Sequence, residues 1–129
     1  MKIPVATYRL QFNHEFNFES ASKILEYLKK LGISDIYASS ILKSKKGSPH
    51  GYDLIDPAQV NPELGGEIGF IKLVDEARSK GLGWLQDIVA NHMSYDSQNS
   101  YLMDLLENGA YSRYQDYFDI DWNHYYLFM

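Results

Sequence analysis

Two glycine-closed amphipathic stretches, each followed by a short apolar segment, set most of what this chain can fold into. Phe18, Ala21, Ile24, Leu25, Leu28 and Leu31 recur at three- and four-residue steps before Gly32. That spacing predicts a helix with a left-handed glycine at its end. Ile68, Ile71, Val74 and Ala77 repeat the pattern before Gly81, with Glu76 and Lys80 spaced as a favourable i,i+4 pair. Three segments rich in β-formers flank these helices, at residues 4–11, 33–38 and 82–89. The order is therefore strand, helix, strand, helix, strand, which predicts right-handed crossovers and a parallel α/β sheet. Between the second strand and the second helix, residues 39–66 run through Lys, Gly, Pro and Asn with little periodicity, and are expected to form a long functional loop.

Composition narrows the classes of function. Of 129 residues, 45% are hydrophobic, enough for a folded core and too many for disorder. Twelve basic residues against seventeen acidic ones leave a net charge of −5, with no broad positive field for a phosphate backbone, so nucleic acid is not an expected partner. The absence of cysteine removes disulfides, thiolate metal sites and a Cys nucleophile. Residues 1–7 show no apolar leader, and no run reaches the roughly 18 apolar residues of a membrane span. A cytoplasmic chain without membrane contact is the expectation.

Charge and rings are unevenly distributed. Residues 84–129 contain one basic residue, Arg113, against seven acidic ones, and eleven of the nineteen aromatic residues. So many rings argue against a disordered acidic tail, and suit either core packing or a sugar, whose C–H faces stack on rings while carboxylates accept its hydroxyl protons. Tyr101, Leu102, Leu105 and Leu106 predict a third helix ended by Gly109. Residues 111–122 show no regular period. Asp119 and Asp121 alternate about Ile120 and read as ordinary surface acids, and the Lys43, Lys45, Lys46 cluster reads as a solvated loop.

Parallel sheets carry their sites at the carboxyl ends of the strands. His14, the 39–66 segment and Asn91-His92 are thereby expected on one rim. Within it, His50-Gly51-Tyr52-Asp53 places an imidazole, a ring and a carboxylate in a flexible turn, a pattern that suits a sugar and also an ordinary Gly-Tyr-Asp turn. Asp87, inside the third predicted strand, precedes Asn91 and His92 just past its end. One His and two oxygen donors fall short of a closed metal site, so neither metal nor cofactor is expected. Dinucleotide, P-loop and nucleophile-elbow motifs are absent.

Six ordered segments together resemble one family. They are Ala6-Thr-Tyr-Arg-Leu-Gln11, His50-Gly-Tyr-Asp-Leu-Ile-Asp-Pro57, Val60-Asn-Pro-Glu-Leu-Gly-Gly66, Asp87-Ile-Val-Ala-Asn-His-Met93, Leu106-Glu-Asn-Gly109 and Tyr117-Phe-Asp-Ile-Asp-Trp122. The chain resembles the maltooligosyl trehalose synthases of the α-amylase superfamily, over about residues 5–122. The resemblance implies a (β/α)8 barrel and conversion of a reducing-end α-1,4 bond of a maltooligosaccharide into an α,α-1,1 bond by intramolecular transglycosylation. It implies that Tyr52 stacks beneath a glucose, that His50 and His92 bind its hydroxyls, and that Asp87, Asn91, Arg9 and Gln11 are structural framework; Asp53, from the same turn, is a further expected substrate-binding residue.

The superfamily's nucleophile and acid–base carboxylates follow later strands, for which this sequence has no counterpart. The expectation is an N-terminal piece that is inactive alone, with residues 1–94 as the first three βα units and 95–129 as the start of an inserted segment. Three strands of a barrel leave open edges and an uncovered face, so self-association is expected, with residues 125–129 covering part of that face. Maltooligosaccharide binding is expected to be weak or absent. Two other readings stay open: half of a split enzyme completed by another chain, or a non-enzymatic oligosaccharide-binding or interaction module.

Overall fold

The side-chain capping of Asn17 starts the first helix of the computed structural model, which describes residues 3–123. Its carboxamide oxygen accepts from the Ser20 amide at 3.0 Å, satisfying one of the donors that a helix start leaves free. The helix, α1, runs Phe18–Lys30, with Glu19 in its first turn and Lys29 and Lys30 in its last, both complementing the helix dipole. Phe18, Ala21, Leu25 and Leu28 are buried as the periodicity predicts, whereas Leu31 is exposed. Each large side chain so buried contributes roughly 2 kcal/mol of hydrophobic free energy.

Strand β1 (Thr7–Leu10) precedes α1 and β2 (Asp35–Ala38) follows it. A hairpin comes next, β3 (Leu42–Ser44) and β4 (Leu54–Val60), then a 3-10 turn at Pro62–Leu64 and helix α2 (Gly66–Ser79). Strand β5 (Gly83–Gln86) and helix α3 (Ser100–Asn108) complete the regular elements before two further 3-10 turns. β1, β2 and β5 form a parallel sheet in that order, with Arg9 opposite Tyr37 and Tyr37 opposite Leu85. The chain is thus a mixed α/β fold with a three-stranded parallel sheet, a partial (β/α)8 arrangement without barrel closure.

Alternation divides the sheet into two unlike faces. Leu10, Ile36 and Ala38 are buried against Leu25, Leu28, Leu73 and Ala77 of α1 and α2, with Phe12 and Phe18 filling the same core. Arg9, Tyr37 and Leu85 lie side by side on the opposite face and are exposed.

Five details differ from the sequence reading. The 39–66 segment is a hairpin, not an irregular loop: β3 pairs antiparallel with β4 through two register shifts, and these bulges erase the alternation that would have announced it. Lys43 and Lys45 are consequently not simply solvated, since Lys43 donates to Gln59 and Lys45 pairs with Asp96 at 3.3 Å. Ile68 and Ile71 are exposed, and Leu73 with Ala77 carries the buried stripe of α2. Lys80 reaches Glu26 of α1 at 3.3 Å and so ties the two helices together. The third strand ends at Gln86, leaving Asp87 just beyond it, its amide donating to Ala38 O at 2.9 Å.

α3 begins at Asn99, whose buried side chain accepts from the Tyr101 and Leu102 amides and donates to Ser94 O. Tyr101 packs with Tyr114 and Tyr117 and donates to Asp56 of β4 at 3.0 Å, so this aromatic segment rests on the hairpin. The 125–129 segment, expected to cover the open face, lies outside the described residues.

Candidate functional site

The turn between β3 and β4 is built around Ser48 and Gly51. The Ser48 hydroxyl accepts from the Gly51 amide at 3.0 Å and donates to the Asp53 carboxylate. Gly51 has φ +75°, and a Cβ there would sit 3.0 Å from Ser40 O, so both conformation and space require glycine. The end of β1 holds the turn from the other side: Gln11 Nε2 donates to His50 O at 2.9 Å and Asn13 Nδ2 to Pro49 O at 3.2 Å.

Tyr52 leaves this turn pointed at the sheet. Its hydroxyl accepts from Arg9 Nη2 at 2.6 Å and donates to Asp87 Oδ2 at 2.7 Å. Asp87 Oδ2 also accepts from the Tyr37 hydroxyl at 3.4 Å and lies 4.0 Å from Arg9 Nη2. The Arg9 guanidinium stands 5.3 Å from the centre of the Tyr37 ring and donates to Gln11 Oε1 at 3.2 Å. One phenol thereby joins the carboxyl ends of β1 and β5 to the turn between β3 and β4.

The electrostatics follow from that placement. Burial pushes the Tyr52 phenol above the ordinary tyrosine range, the bond to Asp87 pushes the same way, and the bond from Arg9 opposes both. Arg9 itself is raised, first by its bond to Tyr52. The phenol therefore stays protonated at neutral pH and acts as donor toward Asp87. His50 lies parallel to the Tyr52 ring, with centroids 6.0 Å apart and an interplanar angle of 17°. Its Nδ1 accepts from the Tyr52 amide at 3.0 Å, which leaves the other ring nitrogen as a donor toward solvent.

The remaining residues singled out in the sequence fall in two places. Asp53 serves the turn, accepting from Ser48 and lying 4.0 Å from His50 Nδ1. Asn91 and His92 bond each other at 3.1 Å and line a hollow of about 550 Å³ with Tyr95, Tyr117, Phe118 and Asp119, among others. Arg9, Gln11, His50, Tyr52 and Asp87 are thus one connected cluster, and no described hydrogen bond links Asn91 or His92 to it. Tyr37 is a member that the sequence reading missed; its place opposite Arg9 in the sheet register is the signal that reveals it. Among the described residues, no group of three His, Asp or Glu side chains is arranged to hold a metal ion. No helix among them is long and apolar enough to cross a membrane.

A ring with an adjacent imidazole donor on a partly exposed rim can offer an apolar surface to a C–H face and polar groups to hydroxyls. Over 95% of its length the chain is 44% identical to a Mycobacterium tuberculosis (strain ATCC 25618 / H37Rv) protein provisionally named maltooligosyl trehalose synthase, of which it spans 17%. Its fold matches the maltooligosyltrehalose synthase of Arthrobacter ramosus with a TM-score of 0.88 at 42% identity, covering 93% of this chain and 16% of that one. It also matches a hypothetical maltooligosyl trehalose synthase of Sulfolobus tokodaii with a TM-score of 0.85 at 49% identity, covering 92% of this chain and 16% of that one. The chain therefore spans about a sixth of the length of the relatives it matches. The family model for the α-amylase catalytic domain matches residues 19–125, and the chain belongs to the α-amylase family.

Proposed function

We propose that this chain supplies part of the glucan-binding rim of a maltooligosyl trehalose synthase-type catalytic domain. The family activity is rearrangement of the terminal α-1,4 linkage of a maltooligosaccharide to an α,α-1,1 linkage. The observation that carries the proposal is the Arg9–Tyr52–Asp87 cluster at the carboxyl edge of the parallel sheet, with His50 against the same ring. Tyr52 acts as the stacking platform, and the free nitrogen of His50 donates to a sugar hydroxyl. His92, with Asn91, contributes from the neighbouring hollow. Asp87 accepts from Tyr52 and Asp53 from Ser48, and in this reading both hold the site together, with no turnover expected of the chain alone.

Self-association belongs to the same reading. Arg9, Tyr37 and Leu85 present an uncovered face, and β1 and β5 each have one unpaired edge among the described residues. The same proposal places the chain in the cytoplasm.

Titration with maltopentaose, followed by calorimetry for the chain and for Tyr52→Ala, tests the platform. Saturable binding that disappears in Tyr52→Ala supports it. Equal binding by both proteins, or none by either, rejects it. Incubation with the same sugar, reading reducing-end loss and free glucose, is expected to show no product.

A further inference from the structure

The Tyr52 hydroxyl has a single proton, and that proton is given to Asp87 Oδ2 at 2.7 Å. The oxygen's acceptor side takes the Arg9 guanidinium at 2.6 Å. The phenol is therefore engaged on both sides by protein, and what remains of this residue for a ligand is its ring. Arg9 is in turn held over the Tyr37 ring and by Gln11, and Asp87 follows directly on β5, its amide bonded to β2. Both partners of the phenol are thus anchored to the sheet, whereas the turn's own hydrogen bond to Tyr52 is made by its backbone amide, which donates to His50 Nδ1.

We infer that Arg9 and Asp87 are positioning residues that set the tilt of the Tyr52 ring through its hydroxyl, and that they do not themselves contact the sugar. The inference rests on the proposed platform role of Tyr52 and deepens it. A tyrosine on a turn has several side-chain rotamers, and a ligand stacking on it must select one. Two charge-assisted hydrogen bonds to the sheet make that selection before the ligand arrives. The hydroxyl, polar as it is, thereby serves orientation, and the choice of ligand falls to the ring and to His50.

The inference separates this arrangement from a second, simpler one, in which Asp87 accepts a sugar hydroxyl directly. In the first case the effect of Asp87 passes entirely through the Tyr52 hydroxyl; in the second it is independent of it. A double-mutant cycle divides the two. Maltopentaose affinity is measured for the full chain and for Y52F, D87A and the combined variant, with D87N as the conservative replacement whose amide oxygen can still accept the phenol. In parallel, the Hα–Hβ couplings of Tyr52 report its side-chain rotamer with no ligand present.

Y52F and D87A are each expected to weaken binding about tenfold, as loss of one charge-assisted bond does, and the combined variant by about the same factor as either alone. D87N is expected to recover most of the loss. The Tyr52 couplings change from those of a single rotamer in the parent chain to averaged values in D87A. The inference is overturned if D87A weakens binding by the same factor with and without Y52F, or if the couplings of Tyr52 are unchanged by D87A. A parent chain that binds no maltopentaose rejects the functional reading, and the couplings then decide the positioning role by themselves.

Discussion

The Tyr52 hydroxyl donates to Asp87 Oδ2 at 2.7 Å, linking two residues 35 positions apart that the parallel topology brings to one edge of the sheet. This bond has a consequence for pH. The folded-state pKa of Tyr52 lies above its unfolded value, by burial first and by the Asp87 bond second. The neutral phenol is thus the form that folding favours. Its contribution to stability is complete below the unfolded value of about 10 and is lost as pH rises through the folded value. Tyr101 is raised in the same direction by burial and by Asp56, so it adds to the same alkaline loss. Urea midpoints measured across the alkaline range are expected to fall above about pH 10, and to fall less steeply in Y52F.

Gly83 and Asp35 make the tightest demand on sequence in the sheet. A Cβ on Gly83 would lie 1.8 Å from Asp35 Oδ1, a distance no rotamer adjustment on the glycine side can relieve. Gly83→Ala is expected to destabilise the fold by about 3 kcal/mol. Adding Asp35→Ala removes the obstructing carboxylate, so the double variant is expected to lose less than the two single losses summed. Denaturant unfolding of the three variants measures this directly.

Asn99 supports a different part of the fold. Its fully buried side chain caps α3 through the Tyr101 and Leu102 amides and satisfies Ser94 O. Asn99→Ala leaves three polar groups without that partner, at a cost of about 2 kcal/mol. Hydrogen exchange is expected to show the loss first at the α3 amides, with α1 protected as before.

The uncovered sheet face leads to a concentration-dependent prediction. Exposed Tyr37 and Leu85, beside strand edges unpaired among the described residues, favour association of copies. Light scattering after size exclusion is expected to give a mass that rises with loading concentration, and Leu85→Lys is expected to lower it. A constant monomer mass at every concentration would contradict the proposal.

Legibility in the sequence varied with the range of the interaction. α1 was visible because Phe18, Ala21, Leu25 and Leu28 face a continuous core, so local spacing and burial agree. α2 was visible as a helix, yet its buried stripe was misplaced. Ile68 and Ile71 lie on the side turned to solvent, and hydrophobicity alone does not state which apolar residues meet the sheet. The β3–β4 hairpin was hidden by its two bulges and by Pro57, which breaks the expected pattern of a paired strand. The cluster itself was legible only in pieces. Tyr52 and Asp87 stood out in their motifs, whereas nothing local to Arg9 or Tyr37 indicates a partner 43 or 50 residues away. Sheet register, a tertiary property, supplies that link.

Chemical-shift mapping of the isotopically labelled chain with maltopentaose tests the central claim most directly. The account predicts saturable shifts concentrated at Tyr52, His50, Arg9 and Asp87, with smaller ones at His92. Shifts absent at millimolar sugar, or confined to residues away from the carboxyl edge of the sheet, would contradict it.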